Sequence, residues 1–276
     1  MISLRRSADR GRIRHGNARH DLTFDASLPH ERYRQRFHSL VGLDEGRLPP
    51  GGDTRRRATR AAEVITYVLE GAVSHDDAPT ARLVAGEFQR WRVQRNGHYH
   101  GNASKTEPAH CFQISLRLER SSQPVVQQMR LPAVHRRGAL RIVASPDGRE
   151  GSLRIAADAL IYSATLRAGQ HIAHELSPTR GAWLHIVSGE ARLGTVVMKT
   201  GDGSGITNEP ALSLTASTAT EILIIDIATR PDANDPEHRL VARALRKRGS
   251  RDADELSANA ARAFVASHLW RTGGKD

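Results

Sequence analysis

Two histidines separated by one residue, His98 and His100, are the most suggestive chemical groups in the chain. Alternate residues of a β-strand point to the same side, so both imidazoles would face one space. Imidazole nitrogens are common ligands of divalent transition metals. The pair predicts either half of a metal site or, as is frequent for an isolated pair on a strand, a hydrogen-bonded pocket wall.

Other strings that contain reactive residues favour structural roles. The string from His171 to Glu175, HIAHE, resembles a metalloprotease motif, but such motifs need a helix, and this stretch lies among predicted strands. The glycine-rich stretch 201–205 lacks the Gly-Lys-Ser/Thr ending of a phosphate-binding loop and is interpreted as a turn. Cys111 is a candidate redox thiol, yet a single cysteine beside a strand phenylalanine is more often a small buried apolar residue.

Composition narrows the class of protein. The chain has 276 residues, 38% of them hydrophobic, and one cysteine, so it cannot form an internal disulfide. It contains no run of about 20 apolar residues, and its first residues carry no apolar signal segment. These features predict a cytoplasmic protein without a membrane partner.

The formal net charge of +11 is unevenly distributed. Residues 1–60 carry +7, residues 61–229 carry +1 and residues 230–276 carry +3. Basic arms can follow phosphates, and the candidates are the arginines of the first segment, Arg5, Arg6, Arg10, Arg12, Arg14 and Arg55 to Arg57. An ordinary basic surface is the favoured interpretation, with nucleic acid an unlikely partner.

Short apolar runs punctuated by Gly, Pro, Asp and Asn follow Phe37, and they predict antiparallel strands. The turn-forming glycines show a weak internal repeat. Gly71 and the Gly86-Glu87 pair in one half match Gly189 and the Gly201-Asp202 pair in the other. This predicts an all-β fold of two small tandem barrels. The predicted domains are residues 1–118 (within which 1–36 wrap the first barrel), a linker 119–139, a second barrel 140–229 and a tail 230–276.

The tail is predicted to be a short helical hairpin. Asp235-Pro236-Glu237 is typical of a helix start, and Asp252 with Glu255 resembles a capping box. Packing on a barrel or on a second subunit is its expected role.

Several strings together resemble one family, the pirins. They are RRSADRG at 5–11, FHSL at 37–40, EVITYVLEG at 63–71, NASKTEP at 102–108, FQI at 112–114, VASPDG at 143–148, GSL at 151–153, AWL at 182–184, GDG at 201–203 and Asp226. The resemblance covers about residues 1–229. It implies two tandem cupin (double-stranded β-helix) barrels, and members are linked to quercetin 2,3-dioxygenase chemistry or to transcriptional co-regulation.

The resemblance also implies one metal in the first cupin, held by a His-x-His pair and a later His-x-Glu pair. The first pair falls on Arg57 and Thr59 in this chain, and the second on His98 and His100. Arg57 has no lone pair to offer a metal, and Thr59 is a poor donor. The family site is therefore expected to be degenerate.

A substitute set is conceivable. Glu63 occupies a position where many other cupins have a metal-binding carboxylate, and with His98 and His100 it would give two imidazoles and one carboxylate, a set used by non-heme iron enzymes. If a cofactor is present, one divalent metal, iron first, is expected there. Without a metal, Arg57 and Arg60 are expected to line the pocket and attract an anionic ligand.

Three functions follow. The first is a pirin-like protein with a lost or altered metal site, which binds a small aromatic or anionic ligand in the first barrel or acts on a protein partner. The second is a metal-dependent quercetin 2,3-dioxygenase-like enzyme that uses His98, His100 and Glu63. The third is a basic, transcription-associated accessory protein.

Overall fold

The structure is a computed structural model that describes residues 1–24, 36–53, 62–75, 78–93, 100–118 and 126–229. Four residues of the predicted site, Arg57, Thr59, Arg60 and His98, lie outside these ranges. The predicted helical hairpin in 230–276 also lies outside them. Glu63 and His100 lie within them.

The described residues form 21 β-strands, three single-turn 3-10 helices and no α-helix, which confirms the all-β prediction. The strands of the first half are β1 Ile2–Arg5, β2 Gly11–His15, β3 Ala18–Leu22, β4 Leu40–Leu48, β5 Ala62–Glu70, β6 Ala72–His75, β7 Ala78–Val84, β8 Glu87–Val93, β9 His100–Asn102, β10 Ala109–Arg117 and β11 Gln127–Arg130. Those of the second half are β12 Arg141–Ser145, β13 Leu153–Arg154, β14 Ala159–Leu166, β15 His171–Glu175, β16 Arg180–Ser188, β17 Glu190–Leu193, β18 Val196–Lys199, β19 Gly203–Ile206, β20 Ala211–Ala216 and β21 Thr220–Ala228. The 3-10 helices are Ser7–Asp9, Ala133–Arg136 and Arg149–Gly151.

Two seven-stranded sheets dominate the fold. The first large sheet has the order β11-β8-β5-β10-β4-β3-β2, and the second large sheet has the order β1-β19-β16-β21-β14-β12-β13. A three-stranded sheet, β7-β6-β9, and a four-stranded sheet, β15-β20-β17-β18, complete the described strands. The central strands β5 and β21 are nearly continuous apolar runs because both of their faces are buried.

The largest hydrophobic core joins the two large sheets. It takes side chains from both, including Ile65, Phe112, Ile161 and Ile225. A second core lies between the second large sheet and the four-stranded sheet, and a smaller one between the first large sheet and the three-stranded sheet. The large sheets are therefore inner layers with apolar residues on both faces.

The first strand does not follow the predicted domain boundary. β1 pairs antiparallel with β19, with Ile2 opposite Ile206, so it belongs to the sheet of the second half, whereas sequence analysis placed residues 1–36 around the first. Strand β3 does pair with β4, and β2 pairs with β3.

Two further stretches also differ from the sequence interpretation. The predicted linker contains β11, which extends the first large sheet, and a 3-10 helix. Part of the predicted glycine-rich turn is strand β19, and its glycines serve packing: a Cβ on Gly203 would lie 2.3 Å from the Trp183 ring. Among the described residues no helix has the length and apolarity to cross a membrane.

Candidate functional site

The two faces of β5 pack in two different hydrophobic cores. Ile65 and Tyr67 pack in the core that joins the two large sheets, while Val68 packs toward the three-stranded sheet. Because strand residues alternate, Glu63 shares the face of Ile65 and Tyr67, and Thr66 shares the face of Val68. This alternation decides which side chains can meet inside the first half.

A cluster of polar and aromatic side chains fills the inner face of the first large sheet, toward the three-stranded sheet. Gln113 is opposite Thr66 across β10 and β5, and its Nε2 lies 3.1 Å from His100 Nδ1. Trp91 packs edge-on against His100, with ring centroids 5.8 Å apart, and donates from Nε1 to Gln89 Oε1 at 2.6 Å. We call these five residues (Thr66, Gln89, Trp91, His100 and Gln113) the inner cluster.

The inner cluster is buried and contains a hydroxyl group that makes no hydrogen bond within the part of the chain that the structure describes. His100 is 2% exposed and Thr66 is fully buried. The Thr66 hydroxyl has no hydrogen-bond partner in the part of the chain that the structure describes. A buried hydroxyl without a partner is costly, so this cluster is suited to receive a polar group of a ligand.

Glu63 lies on the opposite face of the same sheet and has other partners. Its Oε1 accepts from Arg90 Nε at 2.5 Å, and its Oε2 accepts from the backbone N–H groups of Ala156 and Ala157 at 2.8 and 3.3 Å. The carboxylate is fully buried. It thus connects the first large sheet to the second half of the chain.

The structure therefore does not bring Glu63 and His100 together. His98, the third member of the predicted set, lies outside the described ranges. Within those ranges no group of three or more His, Cys, Asp or Glu side chains could hold a metal ion. Of the four family ligand positions, His100 alone lies within the described ranges.

Sequence analysis missed a buried cluster around Arg136, a residue of the predicted linker. Arg136 is 1% exposed and donates to Glu221 Oε1 and Ser163 Oγ, both at 2.6 Å, and to Tyr67 Oη at 2.9 Å. Burial and the Glu221 carboxylate raise the pKa of Tyr67 above its usual range. An arginine in a polar linker gives no sequence signal of burial, so only the structure could reveal this clamp between the halves.

A second missed cluster surrounds Glu45. Arg10 Nη1 and Arg47 Nη2 lie 2.6 and 2.7 Å from its carboxylate oxygens, and His110 Nε2 lies 2.9 Å away. Burial works in the opposite direction, but the hydrogen bond from His110 and the charge of Arg10 hold the pKa of Glu45 well below its usual range.

His185 is buried close to the Glu45 cluster. It is fully buried, its ring centroid is 5.7 Å from that of Phe112, and neither ring nitrogen has a hydrogen-bond partner among the described residues. Burial, together with the charge of Arg10, lowers the pKa of His185 to about 3.

The N-terminal arginines are largely engaged within the fold. Arg10 is buried against Glu45, Arg6 pairs with Asp202 at 2.9 Å, and Arg12 pairs with Asp21 at 2.9 Å. These pairs reduce the free positive charge that a phosphate backbone would need. Arg55, Arg56 and Arg57 lie outside the described ranges.

The HIAHE string forms strand β15 and not a helix. His171 Nδ1 lies 3.1 Å from Thr215 Oγ1, and His174 Nε2 lies 2.8 Å from Asp226 Oδ2. Each histidine therefore has a separate partner, which is consistent with the structural interpretation.

The chain is similar to several bacterial proteins. A family model described as the quercetinase C-terminal cupin domain matches residues 142–227. The chain is 30% identical over 231 residues to a quercetin 2,3-dioxygenase of Escherichia coli K12, covering 82% of this chain and 99% of that one. It is 24% identical to the pirin-like protein YhaK of the same organism, again over 82% of this chain and 99% of that one.

Solved structures of bacterial proteins are also similar to this chain. The crystal structure of the Escherichia coli bacterial pirin YhhW in complex with nickel(II) superposes with a TM-score of 0.73, at 29% identity over 83% of this chain and 99% of that one. A quercetin 2,3-dioxygenase from Acinetobacter baumannii superposes with a TM-score of 0.60 over 82% of this chain and 79% of that one, but at 12% identity it supports the fold alone.

Proposed function

The chain belongs to the pirin family, and from that premise we propose that it is a pirin-like bicupin that binds a small molecule with an altered or lost metal site. The observation that carries the proposal is the orientation of Glu63. Its carboxylate is held by Arg90 and by two backbone N–H groups on the face of the first large sheet opposite to Thr66 and Gln113. The only carboxylate of the predicted substitute set is therefore not available to His100.

The bicupin architecture is part of this proposal. The first barrel consists of the first large sheet and the three-stranded sheet, and the second of the second large sheet and the four-stranded sheet. Each pair encloses a core of its own, which supports this assignment. The helical hairpin in the tail remains a prediction.

The inner cluster is the proposed ligand site. Trp91 offers an aromatic surface, Gln113 and His100 offer polar atoms, and the Thr66 hydroxyl lacks a partner among the described residues. A flat aromatic molecule with hydroxyl or carbonyl oxygens matches this chemistry. Arg57 and Arg60, which are predicted to line the pocket, would favour an anionic group on the ligand. The protein is expected to act in the cytoplasm because its chain has one cysteine.

The alternative is a metal-dependent quercetin 2,3-dioxygenase-like enzyme, and the names of two relatives favour it. One relative is called quercetin 2,3-dioxygenase, and the pirin YhhW was solved with nickel(II). In this chain His98 and His100 would have to hold the metal, with iron the sequence-based expectation, and a third donor would have to replace Glu63. When bound, such a metal would supply oxygen chemistry.

One set of measurements on the purified full chain separates the two proposals. Metal content by mass spectrometry is expected to be well below one per chain, and quercetin is expected to persist in air. Quenching of tryptophan fluorescence is expected to report saturable quercetin binding, weakened by His100→Ala and unchanged by His135→Ala, a control at an exposed histidine. Stoichiometric iron, nickel or copper with quercetin turnover would establish the alternative, and absent binding would refute the ligand site.

A further inference from the structure

A second cleft lies on the surface, away from the inner cluster. It has a volume of about 320 Å³ and is lined by Arg137, Thr165, Leu166, Arg167 and Gln170. Small-molecule pockets begin at roughly this size. The cleft forms where the connecting segment after the 3-10 helix Ala133–Arg136 meets the end of β14.

The backbone fixes this arrangement. Arg137 forms a parallel bridge with Thr165, and the Gly138 N–H donates to the Thr165 carbonyl at 2.8 Å. Gly138 has φ of 69°, and a Cβ there would lie 3.1 Å from Gln170 Nε2. Glycine therefore allows both the turn and the close approach of the Gln170 amide.

The polar groups at the cleft that have no hydrogen-bond partner among the described residues are hydrogen-bond donors. Gln170 Oε1 already accepts from the Arg167 N–H at 2.7 Å, which leaves its Nε2 as the unused end of the amide. The Thr165 hydroxyl donates to the Ala133 carbonyl at 3.1 Å. The guanidinium groups of Arg137 and Arg167 form no ion pair or hydrogen bond with any residue that the structure describes.

The local charge is uncompensated. Glu221 is opposite Thr165 on the neighbouring strand, but its carboxylate is paired with Arg136 at 2.6 Å. Arg137 and Arg167 therefore contribute two positive charges without an acidic partner. Guanidinium groups match the geometry of carboxylates and phosphates through paired N–H donors.

We propose that this cleft binds a small-molecule oxyanion, a phosphate or a carboxylate, held by Arg137, Arg167 and the Gln170 amide. The ligand would also act on the fold, because Arg137 directly follows Arg136, which clamps Tyr67 to Glu221. Fixing Arg137 restrains the segment that carries this clamp. Binding thus stabilises the contact between the two halves.

Calorimetric titration of the full chain with inorganic phosphate, and separately with succinate, tests the site. We expect saturable binding of at least one of them with about one site per chain, and the preferred probe identifies the class of ligand. Arg137→Gln and Arg167→Gln are each expected to weaken it about tenfold, and the double variant more. The matched control is Arg192→Gln, which removes an exposed arginine of β17 and is expected to leave affinity unchanged.

Three results would overturn the proposal. They are the absence of saturable binding for both anions, an equal loss in Arg192→Gln, and full binding in the double variant. The last would place the bound anion at another site. Circular dichroism of each variant verifies that the fold is retained, since both arginines are exposed and no folding defect is expected.

Discussion

Arg90 donates from Nε to Glu63 Oε1 over 2.5 Å, and the two side chains belong to neighbouring strands of one sheet. The pair is almost completely buried, at 8% and 0% side-chain exposure. The other carboxylate oxygen accepts two backbone N–H groups of the second half. Glu63 occupies a position where other cupins are expected to bind metal. In this chain its carboxylate instead joins the two halves through hydrogen bonds.

Glu63 is expected to matter more for stability than for metal content. Glu63→Gln removes the charge that compensates buried Arg90, and breaking a buried pair in this way costs about 3 to 5 kcal/mol. The free energy of unfolding, measured by urea denaturation, is expected to fall by that amount. Metal content is expected to remain unchanged.

Two further variants sharpen this test. Glu70→Gln, at the exposed end of the same strand, is expected to change the free energy of unfolding by less than about 0.5 kcal/mol. The double variant Glu63→Leu with Arg90→Met is expected to recover part of the loss because no unpaired charge remains. A loss of metal in Glu63→Gln without a loss of stability would contradict the assignment.

Arg136 is expected to be the most sensitive residue of the connecting segment. Arg136→Ala removes the cation that pairs with the Glu221 carboxylate, although the Tyr67 hydroxyl still donates to it, and breaking this buried pair costs about 3 to 5 kcal/mol in the free energy of unfolding. Its exposed neighbour serves as the control, and Arg137→Gln is expected to change this quantity by less than about 0.5 kcal/mol. Equal effects of the two substitutions on thermal or urea unfolding would disprove the clamp.

His185 is expected to make stability fall on mild acidification. Its pKa drops from the ordinary value of 6.5 to about 3 because of burial and Arg10, so below pH 6.5 the unfolded chain binds the extra proton. The free energy of unfolding therefore decreases as the pH falls, by about 1.6 kcal/mol between pH 6.5 and 5 from this residue alone.

The histidine contribution is isolated by comparing His185→Leu with the wild type over pH 7 to 5. His38, whose pKa is also lowered by burial, contributes equally to both proteins. Carboxylates with lowered pKa, such as Glu45 with an ordinary value of 4.5, lose their contribution mainly below this range. Parallel pH profiles for the two proteins would show that His185 does not carry the effect.

Cys111 is expected to be inert in the folded protein. It is 1% exposed, and burial together with the Glu45 charge raises its pKa to about 12. Because the thiolate is the reactive species, Ellman's reagent at pH 8 is expected to detect no thiol within minutes and one thiol per chain in guanidinium chloride. Rapid reaction of the native protein would revive the redox interpretation.

The all-β fold was predictable because it depends on local patterns. Runs such as 63–71 and 221–225 are rich in β-branched residues, and they form the central strands β5 and β21. The partner of β1 was not predictable. A four-residue strand carries no record of which sheet edge it will join, and Ile2 meets Ile206 across most of the chain.

The site was only partly predictable for a similar reason. The sequence pattern singled out His100, which contacts Gln113 and Trp91, but the same pattern could not show which way Glu63 points. In a strand that is buried on both faces, apolar residues occur at every position and no alternation reveals the inner side. The burial of Arg10 and of Arg136 was not predicted because it depends on Glu45 and Glu221, acids from distant parts of the chain.

The pairing of β1 with β19 has a consequence for biosynthesis. During translation Ile2–Arg5 leaves the ribosome about 200 residues before its partner Gly203–Ile206. β1 therefore stays unpaired until most of the chain has been made, and without β1 the strand β19 is an exposed edge, which is prone to pair with other molecules. A recombinant fragment that begins at residue 140 would keep that edge permanently uncovered, and supplying the first residues as a separate peptide should close it.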